Sequence, residues 1–176
     1  MNLPNIITIG RLLIVPVVVW AITADEPMLA LALFVLAGVS DAIDGFIARR
    51  FNLRTELGAY LDPLADKALL VSIYITLAVA GMMPRWVAIA VVSRDVMIVG
   101  AIMLSLVMAR PVAIQPLVIS KVNTAVQIAF AALVLARESF DLTLDEPFRL
   151  GLVMVGLLTG LSAAAYLAAW TRHMAR

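Results

Sequence analysis

Two pairs of aspartates are the residues of this 176-residue sequence best suited to chemistry. Asp41 and Asp44 lie three apart and Asp62 and Asp66 four apart, so in helical segments each pair shares one helix face. Four carboxylates gathered in an apolar setting repel one another, and they separate or take up protons unless cations hold them. The chain has no cysteine and a single, distant histidine, His173. Disulfides, zinc–thiolate sites and thiol catalysis are thereby excluded, and an all-oxygen ligand set suits Mg²⁺ or Mn²⁺. Two such cations can bridge a diphosphate and stabilise the entering and leaving oxygens of an in-line displacement. Gly45 and Gly58 remove side chains beside the carboxylates, Ala48 keeps the next turn small, and Arg49 sets a permanently charged fork where a phosphate would lie. The glycines are equally consistent with close helix packing.

The elements that must position these groups are membrane helices. The sequence is 64% hydrophobic and 14% charged, with a mean hydropathy of +1.05. So small a globule is mostly surface and cannot hide that much apolar side chain from water, so the surrounding solvent must be lipid. A spanning helix needs about 20 mostly apolar residues. Six segments qualify: 6–22, 28–49, 58–82, 84–108, 118–136 and 147–170. Lipid cannot hydrogen-bond an open strand edge and the alternation of a barrel is missing, so an all-α fold is expected. The run 12–20 after Arg11 reads as part of the first span rather than a signal-peptide core, because further apolar segments follow and Ile22-Thr23-Ala24 is a poor cleavage site.

Orientation follows from Lys and Arg in the short loops. One side collects Arg49, Arg50, Arg54, Arg110, Lys121, Arg172 and Arg176 together with both termini. The other holds Arg85, Arg137 and Arg149 amid six acidic residues. The expectation is a single domain over residues 1–176, an integral protein of the inner (plasma) membrane. It has six transmembrane helices, both termini cytosolic, and its acidic cluster faces the cytosol. A net charge of +1 gives no basic field for nucleic acid.

Ionisable groups inside apolar segments cost about 2.5–3.5 kcal/mol each at the bilayer centre on insertion scales, so they tend to mark sites. Besides the four aspartates these are Arg11, Lys67, Arg94 and Asp95. Arg11 and the Arg94-Asp95 pair serve equally well as interhelical ties. Intramembrane charges also admit an ion-coupled transporter. Transporters, however, place coupling carboxylates near the midplane on broken helices, often in repeated halves. Here the carboxylates crowd one interface and the halves are unlike.

Written out, the segment reads Asp41-x2-Asp44-Gly45-x2-Ala48-Arg49-x8-Gly58-x3-Asp62-x3-Asp66. It resembles the signature of the CDP-alcohol phosphotransferases at all eight fixed positions, and the likeness extends to the six-helix layout over nearly the whole chain. The resemblance implies two divalent cations. It makes Asp41, Asp44 and Asp62 direct metal ligands, and Asp66 a ligand of the second metal and the candidate general base. Gly45, Ala48 and Arg49 would line the cytidine-diphosphate pocket, with Gly58 permitting close approach. A CDP-linked lipid, CDP-diacylglycerol, would be the donor, and a homodimer the assembly.

Two subfamilies share further stretches, Asn2-Leu3-Pro4-Asn5 before Arg11 and 61–67: the phosphatidylglycerophosphate synthases and the cardiolipin synthases of the mitochondrial type. The stretches 34–38, 44–49, 93–97 and 119–127 are more similar to the second. Glycerophosphate synthases typically carry Arg-Glu where Arg94-Asp95 stands and a further arginine about two turns on, where this chain has Ile102. A soluble phosphate dianion needs more cationic partners than a lipid phosphodiester. The acceptor expected is therefore phosphatidylglycerol, giving cardiolipin, with glycerol 3-phosphate as the alternative. Arg110 or Lys121 is able to supply the missing charge. Lys121, Asn123, Thr124 and Gln127 read as a headgroup or diphosphate wall, or else as an interfacial anchor with Ser120 as helix cap. Arg11 and Asn5 would close the nucleotide end of the cleft.

Overall fold

A computed structural model describes residues 3–50, 56–108 and 118–174, with side-chain detail outside 3–7, 44, 46–50, 56–63, 102, 106–107 and 174. Among the described residues there are six helices and no strand: α1 (Leu3–Thr23), α2 (Pro27–Arg50), α3 (Glu56–Val79), α4 (Arg85–Val107), α5 (Val118–Phe140) and α6 (Asp145–Met174). Three stretches are long and apolar enough to cross a bilayer: Arg85–Ser105, Val118–Phe140 and Asp145–His173. Shorter apolar stretches cover Thr8–Thr23 and Pro27–Ile43. A helix of 23 residues rises about 35 Å, more than the roughly 30 Å hydrocarbon core. Pro16 lies inside α1 without ending it. Membrane helices tolerate such a residue because neighbouring helices, side chains and local helix adjustments can re-satisfy the freed carbonyl.

Three helix ends share one stop signal. Asp25, Gly81 and Asp141 have φ of 59°, 79° and 48°, the left-handed region. The amide of the residue after each donates to a carbonyl five residues back: Glu26 to Ala21 at 2.9 Å, Met82 to Leu77 at 3.0 Å and Leu142 to Arg137 at 3.0 Å. These are Schellman caps, which satisfy terminal carbonyls and turn the chain abruptly. Glycine adopts that backbone freely, and aspartate is among the few other residues that tolerate it.

The helices form two compact units. The first comprises Met1–Met83 with Ala131–Thr143. Within it α1 packs on both α2 and α3. Ala21, Ala30, Ala37 and Ala65 are fully buried there. Small residues let helix backbones approach closely, which is how helices associate where lipid removes the hydrophobic drive.

The second unit comprises Pro84–Phe130 with Leu144–Arg176. A Cβ on Gly156 would meet the Trp86 ring at 3.0 Å, and one on Gly151 would strike the Phe130 ring at 2.3 Å. Here glycine is required by contact rather than by backbone angle. Arg94 meets Ser162 and Ser105 meets Trp170. The paired positions therefore rise together and α4 runs parallel to α6. Asn123 pairs with Thr159, while Phe130 stacks near Phe148 with ring centroids 5.7 Å apart. That order is reversed, so α5 is antiparallel to α6.

Both units bury polar groups and expose aliphatic ones. Thr8, Arg11, Arg94, Asn123 and Gln127 are buried, whereas Leu13, Leu64, Val79, Val96, Val118 and Leu157 are each 60% or more exposed. A water-soluble fold of this size would show the opposite arrangement. The outer surface is made for lipid.

Candidate active site

The first unit brings three helices to one atom. Arg11, on α1, is buried at 2% exposure. Its Nη1 lies 2.7 Å from Asp41 Oδ1 on α2 and 2.6 Å from Asp66 Oδ1 on α3. The carboxylates themselves are open, with 44% and 47% of their side-chain surface exposed. Two acidic groups from different helices thus meet at one buried positive charge while each keeps part of its surface open. Their separation is bounded by the two short legs to Nη1. Oxygens so placed could accept a hard divalent cation.

Gly45, one turn beyond Asp41, is half-buried on α2, and Lys67, next to Asp66, is exposed. The side chains of Asn5, Asp44, Ala48, Arg49, Gly58 and Asp62 lie outside the described residues, as does Arg110 altogether. Among the described residues no group of three or more metal-ligating acidic or histidine side chains occurs. The described half of the expected constellation is therefore Asp41 with Asp66. Arg11, read from sequence as a nucleotide contact, engages these two carboxylates.

The second unit holds a separate polar knot. Arg94 Nη1 donates to Asp95 Oδ1 at 2.5 Å, and Nε and Nη2 donate to Ser162 Oγ at 3.2 and 2.8 Å. Nη2 also donates to Ser120 Oγ, and the guanidinium lies 5.5 Å from the centre of the Tyr166 ring. One buried arginine thereby ties α4, α5 and α6. Ser120 is inside α5 and accepts from Arg94, so it is not the helix cap expected from sequence. Deeper along α5, Gln127 Nε2 donates to Thr159 Oγ1 at 3.2 Å, and Thr159 Oγ1 donates to Asn123 Oδ1 at 3.1 Å.

Asn123 and Gln127 are buried and Lys121 is exposed, so these residues do not form one wall. Lys121 alone of them faces outward at the start of α5. The partners on α6 were missed from sequence. Thr159, Ser162 and Tyr166 recur at the spacing of one helix face, and so do Ser120, Asn123 and Gln127. That matched periodicity was the available signal.

A family profile described as CDP-alcohol phosphatidyltransferase matches residues 1–170. The chain belongs to that family. Among named relatives, the human cardiolipin synthase (CMP-forming) is 37% identical over 156 residues, covering 80% of this chain and 52% of that protein. A probable phosphatidylglycerophosphate synthase of Mycobacterium tuberculosis is 33% identical over 177 residues, 95% of this chain and 80% of that protein. The CDP-diacylglycerol–glycerol-3-phosphate 3-phosphatidyltransferase of Bacillus subtilis is 35% identical over 158 residues, 80% of each. The chain thus spans about half the length of the human cardiolipin synthase it matches. Family membership and the lipid-facing helices make this a membrane protein.

Proposed function

We propose that this chain transfers the phosphatidyl group of CDP-diacylglycerol to the free hydroxyl of phosphatidylglycerol, giving cardiolipin and CMP. The observation that carries it is the meeting of Asp41 and Asp66, two positions of the family signature, beside one buried guanidinium. Asp44 and Asp62 complete the ligand set by their helical spacing, and the all-oxygen donors fit Mg²⁺ or Mn²⁺. When bound, two such ions polarise the diphosphate and stabilise charge on both transferring oxygens.

Asp66 takes the proton from the acceptor hydroxyl. The acceptor oxygen then forms its bond to the lipid-side phosphorus, the bond from that phosphorus to the bridging oxygen breaks, and CMP carries that oxygen away. An aspartate of ordinary basicity contributes modestly, so positioning supplies most of the acceleration. The family signature assigns Arg49 and Gly45 to the cytidine diphosphate, and from sequence Lys121 and Arg110 are the candidates for the acceptor headgroup. The reading further includes six spans, cytosolic termini, a site opening to the cytosol at the inner membrane, and a homodimer.

A second reading, transfer to glycerol 3-phosphate, is favoured by one specific observation. Relatives named for that reaction, in Mycobacterium tuberculosis and Bacillus subtilis, are 33% and 35% identical, beside 37% for the human cardiolipin synthase. Purified protein in mixed micelles, given CDP-diacylglycerol, Mn²⁺ and each acceptor separately, decides between them. Cardiolipin from phosphatidylglycerol is the expected product; product from glycerol 3-phosphate alone transfers the assignment to the second reading.

A further inference from the structure

The guanidinium of Arg11 stands beside the oxygens a divalent cation would take. Asp41 and Asp66 each give Oδ1 to Nη1, at 2.7 and 2.6 Å, while roughly half of each carboxylate remains open. A positive charge this near, and itself buried, is weakly screened by salt, so it acts at nearly full strength on any cation approaching the same carboxylates. An arginine cannot relieve the conflict by losing its proton. Any cation entering must either share these carboxylates with Arg11 or displace it.

We propose that Arg11 is a resident counter-ion of the acidic site. It holds Asp41 and Asp66 together against their mutual repulsion and, by the same charge, lowers the affinity of the site for divalent metal. The inference rests on the reading of Asp41 and Asp66 as metal ligands. Two opposing effects follow from removing the charge. The carboxylates become a stronger trap for a cation, and they lose a group that organises them. The first effect wins, because both aspartates are short side chains on helices that already fix their directions. The arginine offsets their repulsion but does not set their directions, whereas its full charge bears directly on an entering cation. A weakened metal site has a functional use: divalent ions then bind firmly only together with a diphosphate, whose negative charge offsets the arginine.

The test uses the whole chain in detergent, stripped with chelator and titrated with Mn²⁺, with free Mn²⁺ followed by electron paramagnetic resonance. Arg11→Gln is expected to bind Mn²⁺ at least tenfold more tightly than the unsubstituted protein. It should also melt at a lower temperature in chelator and gain more from added Mn²⁺. Arg11→Lys, which keeps the charge, should stay near the unsubstituted affinity. Equal or weaker Mn²⁺ binding by Arg11→Gln, beside clear binding by the unsubstituted chain, overturns the role of Arg11. No Mn²⁺ binding by either protein overturns the metal-site reading beneath it.

A second measurement needs no folded variant. In ¹⁵N-arginine-labelled protein, saturating Mg²⁺ should shift the Arg11 side-chain resonance. A resonance that stays fixed while Mg²⁺ binds refutes the proposal.

Discussion

At the scale of single residues, the site divides labour between groups of the same type. In the proposed reaction Asp66 takes the proton and Asp41 holds a cation. Asp66→Asn keeps the shape and one oxygen acceptor but loses the base, so turnover should fall roughly 10²–10⁴-fold while CDP binding stays within a few-fold. Turnover and equilibrium binding of CDP, measured on the same preparation, check this. Full activity would remove Asp66 from the proton path. Asp41→Asn instead acts on the metal, so the Mn²⁺ concentration for half-maximal rate should rise together with the KM for donor. A metal dependence identical to that of the unsubstituted protein contradicts the ligand role. Chelation of the unsubstituted enzyme should abolish activity and added Mn²⁺ restore it.

The element scale shows what holds the second unit in place. Arg94 and Asp95 are 3% and 7% exposed, and the arginine reaches three helices through Asp95, Ser120 and Ser162. Breaking a buried pair by removing one partner leaves an uncompensated charge and costs roughly 3–5 kcal/mol. A single interhelical hydrogen bond in a membrane protein is worth about 0.6 kcal/mol. Arg94→Ala should therefore lower stability in detergent several-fold more, in free energy, than Ser162→Ala, as read from denaturant titrations. Equal effects would show that Arg94 is a lipid-facing charge and not a tie.

These elements were unevenly legible in the sequence. Helix α5, expected at 118–136, runs Val118–Phe140, because apolar length and the turn chemistry around Asp141 mark its limits. The convergence of Asp41 and Asp66 followed from helical spacing and a short connection. The partners of Arg94 did not. Ser120, Ser162 and Thr159 barely alter hydropathy, and hydropathy reports burial in lipid without saying which helix is the neighbour. For Arg11 the sequence left a nucleotide contact and an interhelical tie both open, for a related reason. Its charge was visible, but the register that carries Nη1 to both carboxylates depends on how α1 lies on α2 and α3.

On the scale of the whole molecule, the arrangement of side chains and charge makes one topological commitment. The connections after α1, α3 and α5 are tight, with Asp25, Gly81 and Asp141 in left-handed backbone, and those after α1 and α5 carry acidic residues. In the sequence, basic residues gather after α2 and after α4 and near the end of α6, where Arg172 stands two residues beyond Trp170. Lys and Arg resist translocation, so the proposed orientation puts the acidic connections outside and the site beside Asp41 and Asp66 inside. The absence of cysteine makes this directly testable, since each introduced thiol is the only one in the chain. Glu26→Cys and Asp145→Cys should react with an impermeant maleimide added to intact cells. Arg172→Cys should react only after the membrane is opened. Labelling of Arg172→Cys in intact cells would place the acidic site on the outer face, away from a cytosolic supply of CDP-linked donor, and the proposed reaction would lose its substrate.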